Sequence, residues 1–386
     1  MDRDDDILVV KNIFKVFGDR PQEALKMLEK GADKDEIFKK TGQVIGVFDA
    51  TFSVKRGEIF VIMGLSGSGK STMVRLFNRL IEPTSGSIYL NGKEITGLND
   101  KQLLDVRRKE MSMVFQSFAL MPHMTVLENA AFGLEISGVG EKERNRRARE
   151  ALAQVGLAAH EYSYPHQLSG GMQQRVGLAR ALANDPSILL MDEAFSALDP
   201  LIRTEMQDEL IRLQAEHQRT IIFISHDLDE AIRIGHRIAI MEGGRIVQVG
   251  TPQEILNNPA DAYVENFFRN VDSSKVLRAG DVARFEAESV VRQTNGATPG
   301  APAIPYAFIV DNDGRFLGLL DNCAGSGDGP RKLAPKDLSV ASFDTPLHDV
   351  LGLVASVPYP LPVVTREGAL HGTISKESLL KSLSRH

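Results

Sequence analysis

Three short apolar runs, separated by amphipathic segments, dominate the pattern of hydrophobic and polar positions along the chain. They are EIFVIM ending at Met63, SILLM ending at Met191 and TIIFIS ending at Ser225. Each run is nearly all apolar and rich in β-branched or aromatic residues, which is typical of a strand covered on both faces in a mostly parallel sheet. Helix-like patterns separate the runs. The sequence therefore predicts an α/β core whose ligands bind at the carboxyl ends of the strands.

A glycine-rich stretch follows the first run and leads into a helical pattern. Residues Gly64 to Ser71 read GLSGSGKS, which fits the phosphate-binding P-loop, G-x-x-x-x-G-K-[ST]. Glycines let backbone N–H groups close on phosphate oxygens, and a helix starting near Lys70 points the positive end of its dipole at the same place. Lys70 then reaches the β- and γ-phosphates, while the Ser71 hydroxyl can ligate Mg²⁺. A plain glycine-rich turn is the structural alternative.

Two adjacent carboxylates, Asp192 and Glu193, follow the second run. Two charges at the end of a buried strand are costly unless something ionic or polar lies opposite them. A Mg²⁺ ion and an attacking water meet that need, with Asp192 binding the metal or its waters and Glu193 deprotonating the water that attacks the γ-phosphate. A strand that ends in solvated acids is the alternative interpretation.

A second glycine-rich helix start lies just upstream of these carboxylates. LSGGMQQR, from Leu168 to Arg175, exposes backbone N–H groups after a serine and is again an anion site. The segment resembles the signature sequence of ATP-binding cassette (ABC) ATPases. In that family the signature of one subunit closes over the γ-phosphate held by the P-loop of another, so the resemblance implies that each P-loop is half a site.

The resemblance extends to four further segments and implies a role for each. Gln116 resembles the residue of the glutamine loop, which senses Mg²⁺ and the attacking water beside a segment that docks on a transmembrane partner. SALD, ending at Asp199, resembles the D-loop that lies across the dimer seam. His226 resembles the switch histidine, whose ring hydrogen-bonds the γ-phosphate. An aromatic that stacks on adenine is expected before the first core strand, and KNIFKVFGDR offers Phe17 first and Phe14 second.

Taken together, the motifs and the resemblance imply a full residue set for hydrolysis of Mg-ATP. The expected catalytic residues are Glu193, His226, Gln116 and Lys70; the ATP-binding residues are Phe17, Gly64, Ser66, Gly67, Ser68, Gly69, Lys70, Ser71, Thr72, Ser169, Gly170, Gly171 and Asp199; and the metal ligands are Ser71, Gln116 and Asp192. Two copies are expected to close head to tail on two Mg-ATP.

Additional material between Phe17 and the P-loop indicates a branch of the family. Residues 19–42 read as two short helices split by Gly31, an insertion that ordinary import cassettes lack. Together with the sequences of residues 57–72 and 114–133, this insertion gives the chain a resemblance to the ATP-binding subunits of glycine betaine, proline and choline importers. That resemblance implies ATP-driven uptake of quaternary ammonium osmolytes, membrane-spanning permease subunits and an external solute-binding protein as partners, and a peripheral place on the cytoplasmic face of the inner membrane.

A shift in composition after Arg269, where Gly and Pro accumulate and the cassette motifs stop, predicts two domains. Residues 1–270 form an ABC cassette of the α/β P-loop NTPase fold, with an antiparallel β portion built from the N-terminus and Ser87 to Ile95 and a helical subdomain at about 117–180. Residues 277–386 contain two β/α patterns with turns at Asp313-Gly314 and Glu367-Gly368, and they resemble a small α+β tandem of CBS modules.

The ligand pattern of the CBS family is altered in this C-terminal tandem. The positions in question hold Asp321 and Ala324 in the first module and Ser375 and Ser378 in the second. Nucleotide binding, sensing of ionic strength and plain dimerisation therefore all stay open for residues 277–386.

Charge and composition exclude other classes of protein. A formal net charge of -6 argues against a nucleic-acid partner, because such partners need a basic face. No apolar run reaches the roughly 18 residues that a membrane span requires. One cysteine, Cys323, suits a reducing compartment. Two functional alternatives remain: a soluble ABC-type ATPase not coupled to transport, and a regulatory module with an inert cassette.

Overall fold

The computed structural model describes residues 5–269, 271–293, 304–323 and 330–383. The chain divides into two units, Met1–Asn266 and Phe267–His386, which we call the first and second unit. The sequence predicts a first domain that runs to residue 270 and a second that begins at residue 277. None of the described helices is both long and apolar enough to cross a membrane.

The first unit contains both large sheets and most of the helices. Its strands are β1 (Asp6–Phe17), β2 (Val44–Lys55), β3 (Ile59–Met63), β4 (Ser85–Leu90), β5 (Lys93–Glu94), β6 (Met111–Val114), β7 (Ile188–Asp192), β8 (Thr220–Ser225), β9 (Arg237–Glu242) and β10 (Arg245–Gly250). Its helices are α1 (Pro21–Glu29), α2 (Lys34–Thr41), α3 (Lys70–Phe77), α4 (Asp100–Lys109), α5 (Val126–Ile136), α6 (Glu141–Gln154), α7 (Gly170–Leu182), α8 (Pro200–His217), α9 (Leu228–Ile234), α10 (Pro252–Asn257) and α11 (Ala262–Phe268), of which α11 continues into the second unit.

The three apolar runs are neighbouring parallel strands of one sheet, as the sequence predicts. The strand order is β10-β9-β3-β8-β7-β6, and only the β9–β10 pair is antiparallel. Every residue of β3, β7 and β8 is buried, and residues of these strands share a core with α3 and with the antiparallel sheet. Met63 lies opposite Ser225, and Asp192 lies opposite Ile224. The carboxyl ends of these strands therefore meet at one edge of the sheet.

The antiparallel sheet has the order β2-β1-β4-β5 and is larger than the sequence indicated, because it also contains the whole of β2. The insertion joins β1 to β2 as the two predicted short helices, α1 and α2, with Gly31 between them at φ +85°. Ala24 and Ile37 of the insertion pack with Val16 and Ile45 of the two strands. The insertion is therefore anchored beside the strand ends that flank the P-loop.

The predicted helical region comprises α5, α6 and α7. Thr125 and Glu128 form a reciprocal capping box that fixes the start of α5. The charged tract from Glu141 lies on α6, where Arg146 pairs with Glu143 and Glu150 at the surface, so it is a solvated helix face.

The second unit repeats one small motif. Its strands are β11 (Val290–Arg292), β12 (Tyr306–Val310), β13 (Phe316–Asp321), β14 (Arg331–Leu333), β15 (Ala341–Ser342), β16 (Leu361–Val364) and β17 (Leu370–Ile374), and its helices are α12 (Ser273–Val276), α13 (Ala279–Val282), α14 (Leu347–Ser356) and α15 (Lys376–Leu383). In each of its two sheets a parallel pair is followed by a hairpin, β12–β13 or β16–β17. The hairpins turn at Gly314 and Gly368, both at positive φ, as the sequence predicts.

The residues that depart from the CBS ligand pattern have local roles where the structure describes them. Ser375 and Ser378 cap α15 reciprocally, since each backbone N–H donates to the hydroxyl of the other at 3.0 Å. Asp321 ends β13 and accepts a hydrogen bond from the Cys323 N–H. Ala324 lies outside the described residues.

Candidate functional site

A cavity of about 700 Å³ opens at the carboxyl edge of the parallel sheet. It is bounded by the loop after β3, by the residues that follow β7 and β8, and by the facing ends of β1 and β2. The residues that line it are Phe17, Val44, Ile45, Gly46, Gly64, Leu65, Ser66, Gly67, Gly69, Lys70, Ser71, Thr72, Glu193 and His226. Most of the expected nucleotide-binding residues are thus in one place.

The shape of the P-loop requires glycine at two positions. Gly64 has φ +155°, and a Cβ there would lie 2.1 Å from the Met241 carbonyl oxygen. Gly69 has φ +101°, and a Cβ there would lie 2.4 Å from the carbonyl oxygen of Gly46. Backbone atoms cannot retreat from such contacts as a flexible side chain can, so a side chain at either position would displace the loop. The turn between β9 and β10 also holds the loop, because the Gly244 N–H donates to the Ser68 carbonyl at 2.8 Å.

Two polar groups of the loop fit a phosphate ligand. Ser68 is 5% exposed, and its buried hydroxyl oxygen has no hydrogen-bond partner among the described residues. An unpaired buried hydroxyl is costly and is satisfied when an anion oxygen occupies the loop. The Lys70 ammonium donates to the carbonyl oxygens of Gly64 and Leu65, at 2.8 and 3.0 Å, and so lies within the curve of the loop.

Burial lowers the pKa of Lys70, while the nearby carboxylates of Glu193 and Asp192 act in the opposite direction. Asp192 is 9% exposed, and burial raises the pKa of its carboxyl against the opposing hydrogen bond from Ser71. A buried cation and a buried acid at one edge of a sheet are typical of a site that takes up a charged ligand.

The donors at the start of α3 fit a Mg²⁺ ion. The Ser71 hydroxyl lies 3.1 Å from a carboxylate oxygen of Asp192, which joins the first turn of α3 to the end of β7. A hydroxyl and a carboxylate are the hard oxygen ligands that Mg²⁺ uses together with substrate phosphates and water. Gln116 does not line the cavity; it is exposed, two residues beyond the end of the neighbouring strand β6.

Glu193 and His226 lie next to each other in the lining of the cavity. The His226 Nδ1 atom lies 3.4 Å from a Glu193 carboxylate oxygen, and the Glu193 side chain is 24% exposed. Glu193 has φ +47°, a left-handed conformation that residues other than glycine rarely adopt. Ser196 stabilises this turn, because its backbone N–H and its hydroxyl both donate to the Glu193 carbonyl oxygen, at 3.1 and 2.9 Å. Such strain is concentrated at functional sites.

The structure separates the two candidate aromatics. Phe17 is 39% exposed at the end of β1 and lines the cavity. Phe14 is partly buried and packs edge to face on Phe48 at 5.4 Å, away from the cavity lining. Val44 and Ile45, at the start of β2, also line the cavity, although no motif indicates them. They lie beside Phe17 because the insertion connects the end of β1 to the start of β2.

The expected signature and D-loop residues lie outside the cavity of a single chain. Ser169 is the N-cap of α7 and accepts a hydrogen bond from the Met172 N–H at 3.3 Å. Asp199 is the N-cap of α8 and accepts one from the Ile202 N–H at 3.1 Å. Ser169, Gly170 and Asp199 are exposed, while Gly171 is buried. Two helix starts therefore present polar groups to solvent without a ligand site of their own.

Comparison with known proteins gives a consistent result. A family profile described as ABC transporter matches residues 47–196. The chain is 54% identical to the glycine betaine/proline betaine transport system ATP-binding protein ProV of Salmonella typhimurium, over 98% of each chain. It is 50% identical to the glycine betaine/carnitine transport ATP-binding protein GbuA of Listeria monocytogenes, over 97% of each. It is 36% identical to the choline transport ATP-binding protein OpuBA of Bacillus subtilis, over 86% of this chain and 91% of that protein.

Solved structures resemble about two thirds of the chain. The dimeric structure of MJ0796, a bacterial ABC transporter cassette, matches with a TM-score of 0.52 at 33% identity, over 63% of this chain and 98% of that one. A second structure of MJ0796, in a post-hydrolysis state bound to ADP and Pi, matches equally well. The structure of cbiO1 from Clostridium perfringens matches with a TM-score of 0.56 at 25% identity, over 70% of this chain and 98% of that one.

Proposed function

The chain belongs to the ATP-binding subunits of ABC transporters, and on that premise we propose that it drives uptake of glycine betaine and related quaternary ammonium solutes. The observation that carries the proposal is the single cavity in which the P-loop, Glu193 and His226 meet at the ends of adjacent parallel strands. The class of transported solute is taken from the relatives, because the proposed ligand of this chain is ATP and not the solute.

Within the cavity each side chain has a distinct part in hydrolysis. The P-loop N–H groups, the Ser68 hydroxyl and Lys70 hold the β- and γ-phosphates of ATP. Phe17 stacks on adenine. Ser71 and Asp192, with Gln116 as the third proposed ligand, would hold Mg²⁺, and the ion would neutralise charge on the phosphates.

The reaction itself needs a base and a group that stabilises the terminal phosphate. Glu193 accepts a proton from the water that attacks the γ-phosphate, and His226 orients the Glu193 carboxylate and hydrogen-bonds a γ-phosphate oxygen. The exposed edge of the imidazole, whose side chain is 57% accessible, leaves room for that phosphate.

A second copy of the chain completes each site. Ser169, Gly170, Gly171 and Asp199 do not line the cavity of their own chain, yet Ser169 and Gly170 form an exposed helix start of the kind that binds anions. In our proposal they close over the γ-phosphate held by Lys70 of the other copy, and Asp199 lies at the seam. One of the similar cassettes is dimeric, which supports this arrangement.

An apolar groove beside Gln116 suits a membrane-spanning permease subunit. The groove has a volume of about 460 Å³ and lies between the sheet edge at β6 and helices α5 and α7. Leu80, Phe115 and Ile136 line it and are 56%, 40% and 57% exposed. Exposed apolar residues around a concave surface mark a partner site. We place the permease here, with the chain on the cytoplasmic face of the inner membrane and an external solute-binding protein delivering the solute.

The second unit is the regulatory part of this proposal. Its two sheets repeat one strand pattern and are bridged between Arg315 and Ala369, which supports a tandem of CBS-like modules. The proposed boundaries are the expected ones, 1–270 for the cassette and 277–386 for the tandem.

Uptake in cells tests the function. Cells that lack the subunit are complemented with the chain, and uptake of labelled glycine betaine, choline and proline is measured at low and high osmolarity. We expect uptake of at least one solute to return with the wild-type chain and not with Glu193→Gln. A chain that hydrolyses ATP but neither restores uptake nor co-purifies with a permease subunit would instead be a soluble ATPase.

A further inference from the structure

The side chain of Arg203, in the first turn of α8, contacts two loops of the site. One guanidinium nitrogen donates to the carbonyl oxygens of Ser196 and Leu198, at 3.4 and 3.2 Å. The other lies 3.5 Å from a carboxylate oxygen of Asp227. The first two acceptors belong to the loop that ends at Asp199, and Asp227 follows His226 directly. One side chain therefore joins the loop at the proposed dimer seam to the loop that carries the histidine.

A buried network holds the same histidine loop one helical turn farther along α8. The Gln207 amide donates to one carboxylate oxygen of Glu230 at 3.1 Å, and the Ser225 hydroxyl donates to the other at 2.5 Å. These three residues are 5%, 7% and 2% exposed. Asp227 also accepts the Glu230 N–H at 3.1 Å as the N-cap of α9. Side chains of α8 thus contact the loop on both sides of His226, and Arg203 is the one that also reaches the Ser196–Asp199 loop.

We propose that Arg203 is a positioning residue that couples the seam loop, Ser196–Asp199, to the His226 loop. The inference rests on the proposed function and deepens it. When a second copy docks on the seam loop, a shift of the Ser196 and Leu198 carbonyls moves the guanidinium, and Asp227 moves with it. His226 then swings relative to Glu193, which lies 3.4 Å away before closure. Closure of the dimer is thereby coupled to the alignment of Glu193 and His226.

The bonding of Arg203 fits such a movable link better than a rigid brace. Its hydrogen bonds are long, between 3.2 and 3.5 Å, and its Nε atom is buried without a partner among the described residues. A neighbouring pair supplies the contrast: Arg233 of α9 binds Asp208 of α8 at 2.7 Å on the exposed surface and touches neither loop. Loss of that pair removes an ion pair between the same two helices without affecting the site, so Arg233→Met is the matched control.

Steady-state ATP hydrolysis by the full chain assembled with its permease tests the coupling. For Arg203→Met we expect kcat to fall roughly 10-fold to 100-fold with KM for ATP nearly unchanged, because misplacement of a catalytic group costs turnover and Arg203 does not touch ATP. Arg203→Lys keeps the positive charge but loses the planar guanidinium whose two nitrogens reach the two loops, so it should recover part of kcat. Arg233→Met should behave as wild type, and the thermal midpoints of Arg203→Met and Arg233→Met should agree.

A double-mutant cycle identifies the route of the effect. Asp227→Asn removes the charge that Arg203 holds but keeps a residue that can cap α9. If Arg203 acts through Asp227, Arg203→Met with Asp227→Asn is no slower than the slower single variant. Multiplied losses, or an Arg203→Met enzyme as fast as Arg233→Met, would overturn the inference alone. A Glu193→Gln enzyme with wild-type turnover would instead overturn the proposed function.

Discussion

Glu193 combines a strained backbone with the proposed role of general base. Its left-handed conformation costs of order 1 kcal/mol, which the turn closed by Ser196 offsets. The conformation sets the carboxylate against His226 at 3.4 Å while the preceding residue, Asp192, stays in the strand and bonds Ser71. Two adjacent acids thus point to different tasks, one to the metal and one to the water.

Replacement of the base should separate chemistry from binding. For Glu193→Gln we expect hydrolysis to slow roughly 10² to 10⁴-fold, about 3 to 5 kcal/mol of barrier, because the amide cannot accept the proton. ATP binding should persist, since the P-loop is unchanged. Single-turnover kinetics measure the hydrolysis rate, and equilibrium nucleotide binding measures the affinity for ATP. A normal hydrolysis rate would remove Glu193 from the role of base.

Replacement of Lys70 should have the opposite profile. Lys70→Ala removes the ammonium group that the loop encloses, so we expect the affinity for ATP to fall by roughly 10-fold or more. Titration of a fluorescent ATP analogue measures this loss. Lys101, an exposed cation on α4, provides the control, and Lys101→Ala should retain the affinity. Equal affinities for wild type and Lys70→Ala would contradict the phosphate role.

At the residue scale the sequence predicts motifs well and orientations poorly. The P-loop and the carboxylate pair are short contiguous patterns, so their chemistry is readable locally. The choice between Phe14 and Phe17 cannot be made from the local sequence, because the register of β1 shifts. One shift lies between Lys11 and Phe14 in the pairing with β4, and another lies between Ile13 and Lys15 in the pairing with β2. Such bulges decide which ring faces the cavity. Arg203 carries no motif at all, since its partners lie on loops that only the fold brings together.

At the scale of elements, α7 and α8 approach each other closely at Gly171. A Cβ at this position would lie 2.4 Å from the Cγ2 atom of Ile202, in the first turn of α8. Gly171 therefore lets the signature helix start lie against the helix that follows the seam loop. The second glycine of the signature has a packing role as well as its proposed role toward phosphate.

This contact can be tested by a paired substitution. Gly171→Ala should lower ATP hydrolysis, because the added methyl group moves the start of α7 away from α8. Gly171→Ala with Ile202→Ala should recover part of the lost rate, since only the Ile202 Cβ remains, 3.8 Å from the new methyl group. Steady-state ATPase rates of the two single variants and the double variant measure this. If Ile202→Ala brings no recovery, the steric account of Gly171 is wrong.

Element prediction succeeded where periodicity was strong and local. The three core strands, the two insertion helices and the hairpins at Gly314 and Gly368 all follow from runs of apolar residues punctuated by glycine. The extent of the antiparallel sheet did not follow, because β2 alternates buried and exposed residues over a length that its pairing with β1 determines. Long-range pairing supplies information that a window along the sequence lacks.

For the whole molecule, the separation of the two helix starts determines how the protein works. The start of α3 lines the cavity, whereas the start of α7 and Asp199 do not. In the proposed function, each chain contributes half a site on each of two surfaces and hydrolyses ATP only when two copies meet head to tail. The binding energy of ATP would then move the permease subunit docked at the groove beside Gln116.

Mixing two inactive variants tests the shared site. In Lys70→Ala the signature is intact, and in Ser169→Arg the P-loop is intact while the added side chain blocks the γ-phosphate of the other copy. We expect each variant alone to hydrolyse ATP poorly and the mixture to regain turnover, because the mixed dimer has one site made only of wild-type residues. A mixture as inactive as its components would place Ser169 and Lys70 in the same site of one chain.

The most direct measurement is a structure of Glu193→Gln with Mg-ATP, in which slowed hydrolysis retains the closed state. The account predicts two copies head to tail, with the Ser169 hydroxyl of the second copy within about 3 Å of a γ-phosphate oxygen of the ATP held by Lys70. An ATP-bound assembly in which every Ser169 lies remote from every γ-phosphate would contradict it.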